Sequence, residues 1–325
     1  MLTDKTLPLK KVFFIVFLIV SGLAFLTPDK KPTVFLIGDS TMANKPTDDN
    51  PERGWGQLLP EYFTGDINIQ NHAVNGRSTK SFINEHRWDS VMSKLKNGDF
   101  VLIQFGHNDS KTEDSVRSAP AHTLYRDNLM RFVTDARSKG AIPVLITPVM
   151  RRKFDSSGKF IDQHGDYPGV VKEVAALLKV PIIDLHKSSE TLLVNAGVEG
   201  SKRFFMHIPK GHFANYKGKE EDNTHFGEYG AASIASLVCQ SIKEQHLPLE
   251  TYLKPSAFKE KFAFELPKVY QPHFKRDTVN ILDYGAVADG LTLNSKAINN
   301  AIQACAENGG GTVVIPRGSF VSGPV

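Results

Sequence analysis

From Thr33 onward, short apolar runs alternate with amphipathic stretches, and this alternation restricts the chain to very few architectures. Residues 34–37, 67–74, 100–105, 142–149 and 181–185 have the length and apolar content of strands. Between them, apolar side chains recur every three or four residues, as helices require. Trp88, Val91, Met92 and Leu95 form one such set, and Leu124, Leu129, Phe132 and Ala136 a second, with Asn128 its polar exception. Val170, Val171, Val174, Leu177 and Leu178 form a third, and a last helix over 228–245 would close the domain. Five strands alternating with helices predict an α/β fold with a parallel sheet covered on both faces. In such sheets ligands gather beyond the carboxyl ends of the strands, so the residues that follow each strand are the ones to search for chemistry.

Counting glycine, about half of the 325 residues are apolar, which excludes disorder for the bulk of the chain. Against 39 Lys and Arg stand 35 Asp and Glu, and no run of basic residues appears, so nucleic acid is not an expected partner. Cys239 and Cys305 are too few and too far apart for a disulfide framework or a zinc site. Lys10 and Lys11 lead into an uncharged run over 12–26, shorter than the roughly 20 residues a spanning helix needs. Residues 1–27 therefore read as a secretory signal peptide, with an N-terminal membrane anchor as the alternative. No cysteine follows the run, which argues against a lipid anchor. The expected location is secreted or periplasmic, with no membrane contact once the signal is removed.

Four segments follow strands or precede the last helix. The first strand runs into Gly38-Asp39-Ser40-Thr41, the second into Asn75-Gly76-Arg77-Ser78 and the third into Gly106-His107-Asn108-Asp109. Asp222-Asn223-Thr224-His225 stands just before the last helix, where one turn would let Asp222 and His225 face the same pocket. Singly, each reads as an ordinary turn or helix cap. Jointly they supply an acyl-transfer site. A serine hydroxyl attacks only when an imidazole takes its proton, and the imidazole needs a carboxylate to hold its tautomer. Ser40, His225 and Asp222 fit those roles. The backbone N–H groups of Ser40 and Gly76 and the side-chain amide of Asn108 are candidate donors for an oxyanion hole. No metal or cofactor is expected, and His107, His207 and His212 read as surface or packing histidines.

These four segments resemble the ordered blocks of the SGNH, or GDSL-type, hydrolases, which carry Ser, Gly, Asn and His in that order, over residues 32–246. Within that superfamily the sequence is most similar to the rhamnogalacturonan acetylesterases. The stretches that carry the likeness are Arg53-Gly-Trp-Gly-Gln-Leu-Leu, Asn71-His-Ala-Val-Asn-Gly-Arg-Ser-Thr-Lys-Ser-Phe82, Gln104-Phe-Gly-His-Asn-Asp109, Thr147-Pro-Val-Met-Arg-Arg-Lys-Phe154 and His164-Gly-Asp-Tyr-Pro168. The resemblance implies a three-layer α/β/α flavodoxin-like fold, a cofactor-free serine esterase and acetylated pectic polysaccharide as substrate. Asn75 stands where many relatives carry a second glycine. Galacturonate carries a carboxylate that a guanidinium holds with two parallel hydrogen bonds, so Arg151 and Arg152, then Arg77, are candidate substrate contacts. The competing expectation is that these arginines pair with Asp155, Asp162 or Asp166. Trp55 would either stack on a sugar or, beside Leu58 and Leu59, belong to the core. An esterase for acetylated xylan or a lipid, and a non-catalytic carbohydrate-binding module, are the alternative functions.

Residues 247–277 contain Pro248, Pro255, Pro267 and Pro272 and read as a linker. Beyond it, 279–290 and Gly309-Gly-Gly-Thr-Val-Val-Ile-Pro316 resemble the opening of polygalacturonase-type parallel β-helix enzymes. Residues 278–325 are thus expected to be the truncated start of such a domain, whose missing part would cut a pectic backbone. Coil stacks need at least about three repeats to bury a continuous core, so this tail is not expected to be a glycosidase by itself.

Overall fold

A computed structural model describes residues 31–209, 211–216, 218–219, 221–255 and 277–325. The expected signal peptide over 1–27 lies outside the described residues. Among the described residues no helix is long and apolar enough to cross a membrane. The chain divides into two compact units, Met1–Lys261 and Phe262–Val325.

In chain order the first unit contains β1 (Thr33–Gly38), β2 (Glu52–Arg53), α1 (Trp55–Leu58), β3 (Asn68–Asn71), α2 (Thr79–Asn84), α3 (Arg87–Met92), β4 (Phe100–Gln104), α4 (Arg126–Ser138), β5 (Ile142–Ile146), α5 (Tyr167–Leu178), β6 (Ile182–Ile183), α6 (Leu185–Gly200), β7 (Phe205–His207), β8 (Glu221–Gly227) and α7 (Glu228–Glu244). The main sheet has the order β3-β1-β4-β5-β6, with every pair parallel. Side chains alternate faces along a strand, and the two cores follow from that. Val34, Leu36, Leu102 and Val144 pack on one face with Trp55, Leu185, Ile234 and Val238. Phe35, Ile37, Val101 and Leu145 pack on the other with Phe82, Trp88, Phe132, Val170 and Val174. The result is the three-layer α/β/α sandwich expected of the chain.

β1 lies between β3 and β4, so successive connections leave it in opposite directions and open a crevice at its carboxyl end. Gly38 ends β1 there because a Cβ would sit 2.7 Å from the Gln104 carbonyl oxygen of the neighbouring strand. A smaller antiparallel sheet, β2-β8-β7, brings residues 221–227 to the same end of the unit.

Two differences from the sequence expectations are informative, and one open alternative is decided. Residues 247–254 are not linker: Leu249 is fully buried, Leu253 bridges to Phe63 and the Lys254 N–H donates to the Tyr62 carbonyl. Pro248 starts a short 3-10 turn, Pro248–Tyr252, instead of breaking contact with the domain. Asp222 and His225 lie on β8 and not on a turn before the last helix, though both line one hollow. Trp55 is core, fully buried with its Nε1–H donating to Gln104 Oε1 at 2.7 Å.

The second unit contains β9 (Thr278–Asn280), β10 (Asp289–Leu293), α8 (Ser295–Glu307), β11 (Thr312–Val314) and β12 (Ser319–Val321). β9 pairs with β11 and β10 with β12, both parallel. Ile281, Ala286, Ala297, Ile298 and Ala301 form its small core under α8.

Candidate active site

Asp39 shapes the turn that presents Ser40. It is fully buried, and its Oδ1 accepts the Thr41 N–H at 2.9 Å and the Thr41 hydroxyl at 2.8 Å. Gly-Asp-Ser-Thr is therefore a locked turn and not a loose connection. Burial by itself would raise the Asp39 carboxyl, but the adjacent His107 and the Thr41 bonds hold it at about 2.

His225 reaches Ser40 from the small sheet. Its Nε2 lies 2.9 Å from Ser40 Oγ, and its Nδ1 lies 2.6 Å from Asp222 Oδ2. On a regular strand, residues three apart point to opposite faces. Here β8 carries an irregularity: Met206 pairs with Asp222 whereas its neighbour Phe205 pairs with Phe226, so residues 223–225 bulge from the ladder. The other Asp222 oxygen closes the bulge, accepting the N–H groups of Thr224 at 2.7 Å and His225 at 3.0 Å. Burial raises the Asp222 carboxyl, and its bonds to His225 outweigh this and bring it down to about 2. Asp222 and His225 also line a hollow with Glu52, Tyr216, Asn223 and Thr224.

The candidate oxyanion donors sit on loops tied to one another. The Val74 N–H donates to the Gly38 carbonyl at 3.1 Å, laying the loop after β3 beside the Ser40 turn. Gly76 has φ of +74°, a conformation that strains any residue with a Cβ. Asn108 donates from Nδ2 to the Arg77 carbonyl at 3.0 Å, which leaves its second amide hydrogen uncommitted. The Ser40 and Gly76 N–H groups have no hydrogen-bond partner among the described residues. Asn75 is anchored through Oδ1 by Lys45 Nζ, which also pairs with Glu52 at 2.7 Å. That buried lysine holds the loop at Asn75.

Asp109 joins the same loops, its Oδ1 accepting the Thr79 N–H at 2.9 Å and the Thr79 hydroxyl at 2.5 Å at the start of α2. Its Oδ2 is buried without a partner, and burial raises this carboxyl to about 7.

The three arginines separate. Arg152 does not face a ligand: its guanidinium donates to Val198 O, Ser201 Oγ and Asn223 Oδ1 and lies over the Phe154 ring. The expectation that it contacts substrate is corrected, because every edge of the fork is committed inside the fold. Arg77 pairs with Glu85 at 3.0 Å and donates to the Asn75 carbonyl. Arg151 donates one N–H to the His107 carbonyl at 3.0 Å and has no carboxylate partner among the described residues, Asp155, Asp162 and Asp166 included. His207 bonds Asn223 Oδ1 and His212 stacks edgewise on Phe213, both as packing or surface groups.

His107 is a packing histidine with more connections than the sequence suggests, since its Nδ1 faces Asp39 Oδ2 at 3.2 Å and its Nε2 faces His164. His164 lies in one of the stretches resembling the acetylesterases, but nothing in its spacing connects it to His107.

The GDSL-like lipase/acylhydrolase family matches residues 36–232. The chain belongs to that family. Rhamnogalacturonan acetylesterase RhgT of Bacillus subtilis is 41% identical over 232 residues, covering 71% of this chain and 98% of the relative. The probable rhamnogalacturonan acetylesterase YesY of the same organism is 35% identical, covering 66% of this chain and 94% of the relative. The crystal structure of YxiM from B. subtilis shares the fold with a TM-score of 0.59 at 24% identity, covering 68% of this chain and 58% of that one. Residues 278–325 match the rhamnogalacturonase A/epimerase, pectate lyase-like family.

Proposed function

We propose that the first unit is a serine esterase that removes acetyl groups from rhamnogalacturonan, with Ser40 as nucleophile, His225 as general base and acid, and Asp222 as the carboxylate that orients it. The observation that carries this reading is the unbroken sequence of contacts from Ser40 Oγ to His225 Nε2 at 2.9 Å and from His225 Nδ1 to Asp222 Oδ2 at 2.6 Å. As Oγ attacks the acetyl carbonyl carbon, His225 Nε2 takes the hydroxyl proton and Asp222 stabilises the imidazolium. The carbonyl oxygen becomes an oxyanion facing the Ser40 and Gly76 N–H groups and the Asn108 amide. His225 then protonates the departing sugar oxygen, leaving acetyl-Ser40. A water molecule deprotonated by His225 attacks this ester, and acetate leaves as Ser40 regains its proton.

Substrate assignment rests on the two acetylesterase relatives and on the rhamnogalacturonase-type match of the second unit, since two such activities meet on one polymer. Arg151, half-buried and without an acidic partner, is the group we assign to the uronate carboxylate. The second unit reads as the opening of a pectin-type β-helix, and residues 1–27 as the signal that exports the chain to its polymer.

The test measures acetate released from acetylated rhamnogalacturonan, acetylated xylan and a short-chain lipid ester. Preference for rhamnogalacturonan is expected, and preference for xylan or lipid would replace the substrate while keeping the esterase. Fluorophosphonate labelling separates an esterase from a sugar-binding module, because only an activated Ser40 is captured covalently.

A further inference from the structure

Asp39 starts a second line of ionisable groups that leads away from Ser40. Its Oδ2 faces His107 Nδ1 at 3.2 Å, and His107 Nε2 faces His164 Nε2 at 3.3 Å. His164 Nδ1 faces Asp162 Oδ1 at 3.1 Å, and Asp162 Oδ2 lies 3.1 Å from His186 Nε2. Asp39, His107 and His164 are almost fully buried, His186 is mostly so, and the Asp162 side chain is 41% exposed.

Counting hydrogens shows where this line fails to close. A carboxylate supplies none and a neutral imidazole supplies one. If His107 donates from Nδ1 to Asp39, its Nε2 is bare and accepts the Nε2 hydrogen of His164. His164 Nδ1 is then bare as well, and its lone pair faces the lone pairs of Asp162 Oδ1. On the other side of the same carboxylate, His186 Nε2 lies 3.1 Å from Asp162 Oδ2 but off the direction a hydrogen bond needs, and it is buried with no other partner. Two imidazole nitrogens and one carboxylate thus converge, and their ligand atoms lie within 4.8 Å of one another. An extra proton would mend one contact at the cost of a buried imidazolium. A cation among the three side chains mends both.

We propose that Asp162, His164 and His186 bind one divalent transition-metal ion, with zinc the best match to two imidazoles and a carboxylate. Ligated imidazoles usually donate their other ring N–H to a fixed acceptor. His164 does so to His107, which passes the same order on to Asp39, so every hydrogen in the line has an acceptor. The exposed edge of Asp162 provides an entry path and room for a solvent ligand. In this arrangement the ion is a positioning group: it sets the His107 tautomer and hence the turn that carries Ser40, and it takes no part in attack on the ester. The sequence gives no reason to expect a metal, because Asp162 and His164 precede α5 whereas His186 lies in the first turn of α6.

The experiment uses tag-free full-chain protein, stripped with chelator and titrated with zinc chloride by calorimetry, with bound metal counted by mass spectrometry. One zinc per chain is expected, with a rise in Tm on loading. Asp162→Asn and His186→Gln should each weaken zinc binding by more than the roughly 10- to 100-fold that loss of an outer-shell partner costs. Both should keep the circular dichroism spectrum but slow fluorophosphonate capture at Ser40. Absence of saturable zinc uptake, or equal affinity in wild type and a folded variant, overturns the assignment. If one variant fails to fold, the other carries the same comparison.

Discussion

Ser40 and Asp39 are neighbours in sequence, yet each feeds a different histidine. His225 and His107 both face a carboxylate through Nδ1, at 2.6 Å and 3.2 Å. Their outer nitrogens separate them. His225 Nε2 meets a hydroxyl, and its side chain is 30% exposed, whereas His107 Nε2 meets another imidazole and its side chain is 3% exposed. A carboxylate–imidazole pair activates a nucleophile only where the far nitrogen meets a hydroxyl and an acyl group has room to approach. Elsewhere the same pair is part of the frame.

This contrast is sharpest in activity. Ser40→Ala and His225→Ala should each lower kcat for acetate release by at least about 10⁴-fold with nearly unchanged Tm; retained turnover in either would erase the distinction. His107→Ala should do the reverse, costing about 3–5 kcal/mol of stability by leaving buried Asp39 unpaired, with a smaller loss of kcat than His225→Ala, as read by denaturant unfolding alongside steady-state rates. Asn108→Ala should reduce kcat by about 10²- to 10³-fold with little change in KM if its free amide hydrogen meets the oxyanion. An effect confined to KM would move Asn108 to substrate binding.

The smallest expected effect concerns Asp109, whose carboxyl is raised to about 7 while Asp39 and Asp222 are held at about 2. A group raised in the folded state stabilises it below its unfolded value near 3.8 and loses that contribution as pH climbs through about 7. Asp109→Asn removes this dependence, so the variant should gain on wild type by ~3 kcal/mol between pH 4 and 7. Unfolding curves across that range test it, and a constant difference would mean that Asp109 ionises freely. Asp39 and Asp222 act with the opposite sign, their contribution lost as pH falls from about 4 toward 2.

Local pattern was sufficient for the sheet because strand and helix periodicities are written residue by residue. It was weaker where tertiary contacts override composition. Residues 247–254 look like linker through Pro248 and the prolines that follow at 255, 267 and 272, but Leu249 and Leu253 are buried on the domain. The helix over Leu185–Gly200 has no clear apolar period in the sequence, because its apolar residues are interrupted by Ser188, Ser189 and Glu190 and it buries only Leu185, Ser189 and Leu193. Arg151 and Arg152 are indistinguishable in sequence. Only the carbonyl of Val198 and the side chains of Ser201 and Asn223, all remote in the chain, decide that Arg152 is an internal strut.

The sequence by itself determined the layered architecture and the four loops that meet at the crevice, since hydrophobic periodicity and turn chemistry are local properties. Tertiary structure alone decided which nitrogen faces which oxygen. A hydrogen bond depends on separations of about 3 Å between residues up to 185 positions apart, such as His225 and Ser40, and no periodicity encodes that distance. The bulge that turns Asp222 toward His225 and the convergence of Asp162, His164 and His186 arise only when distant segments pack.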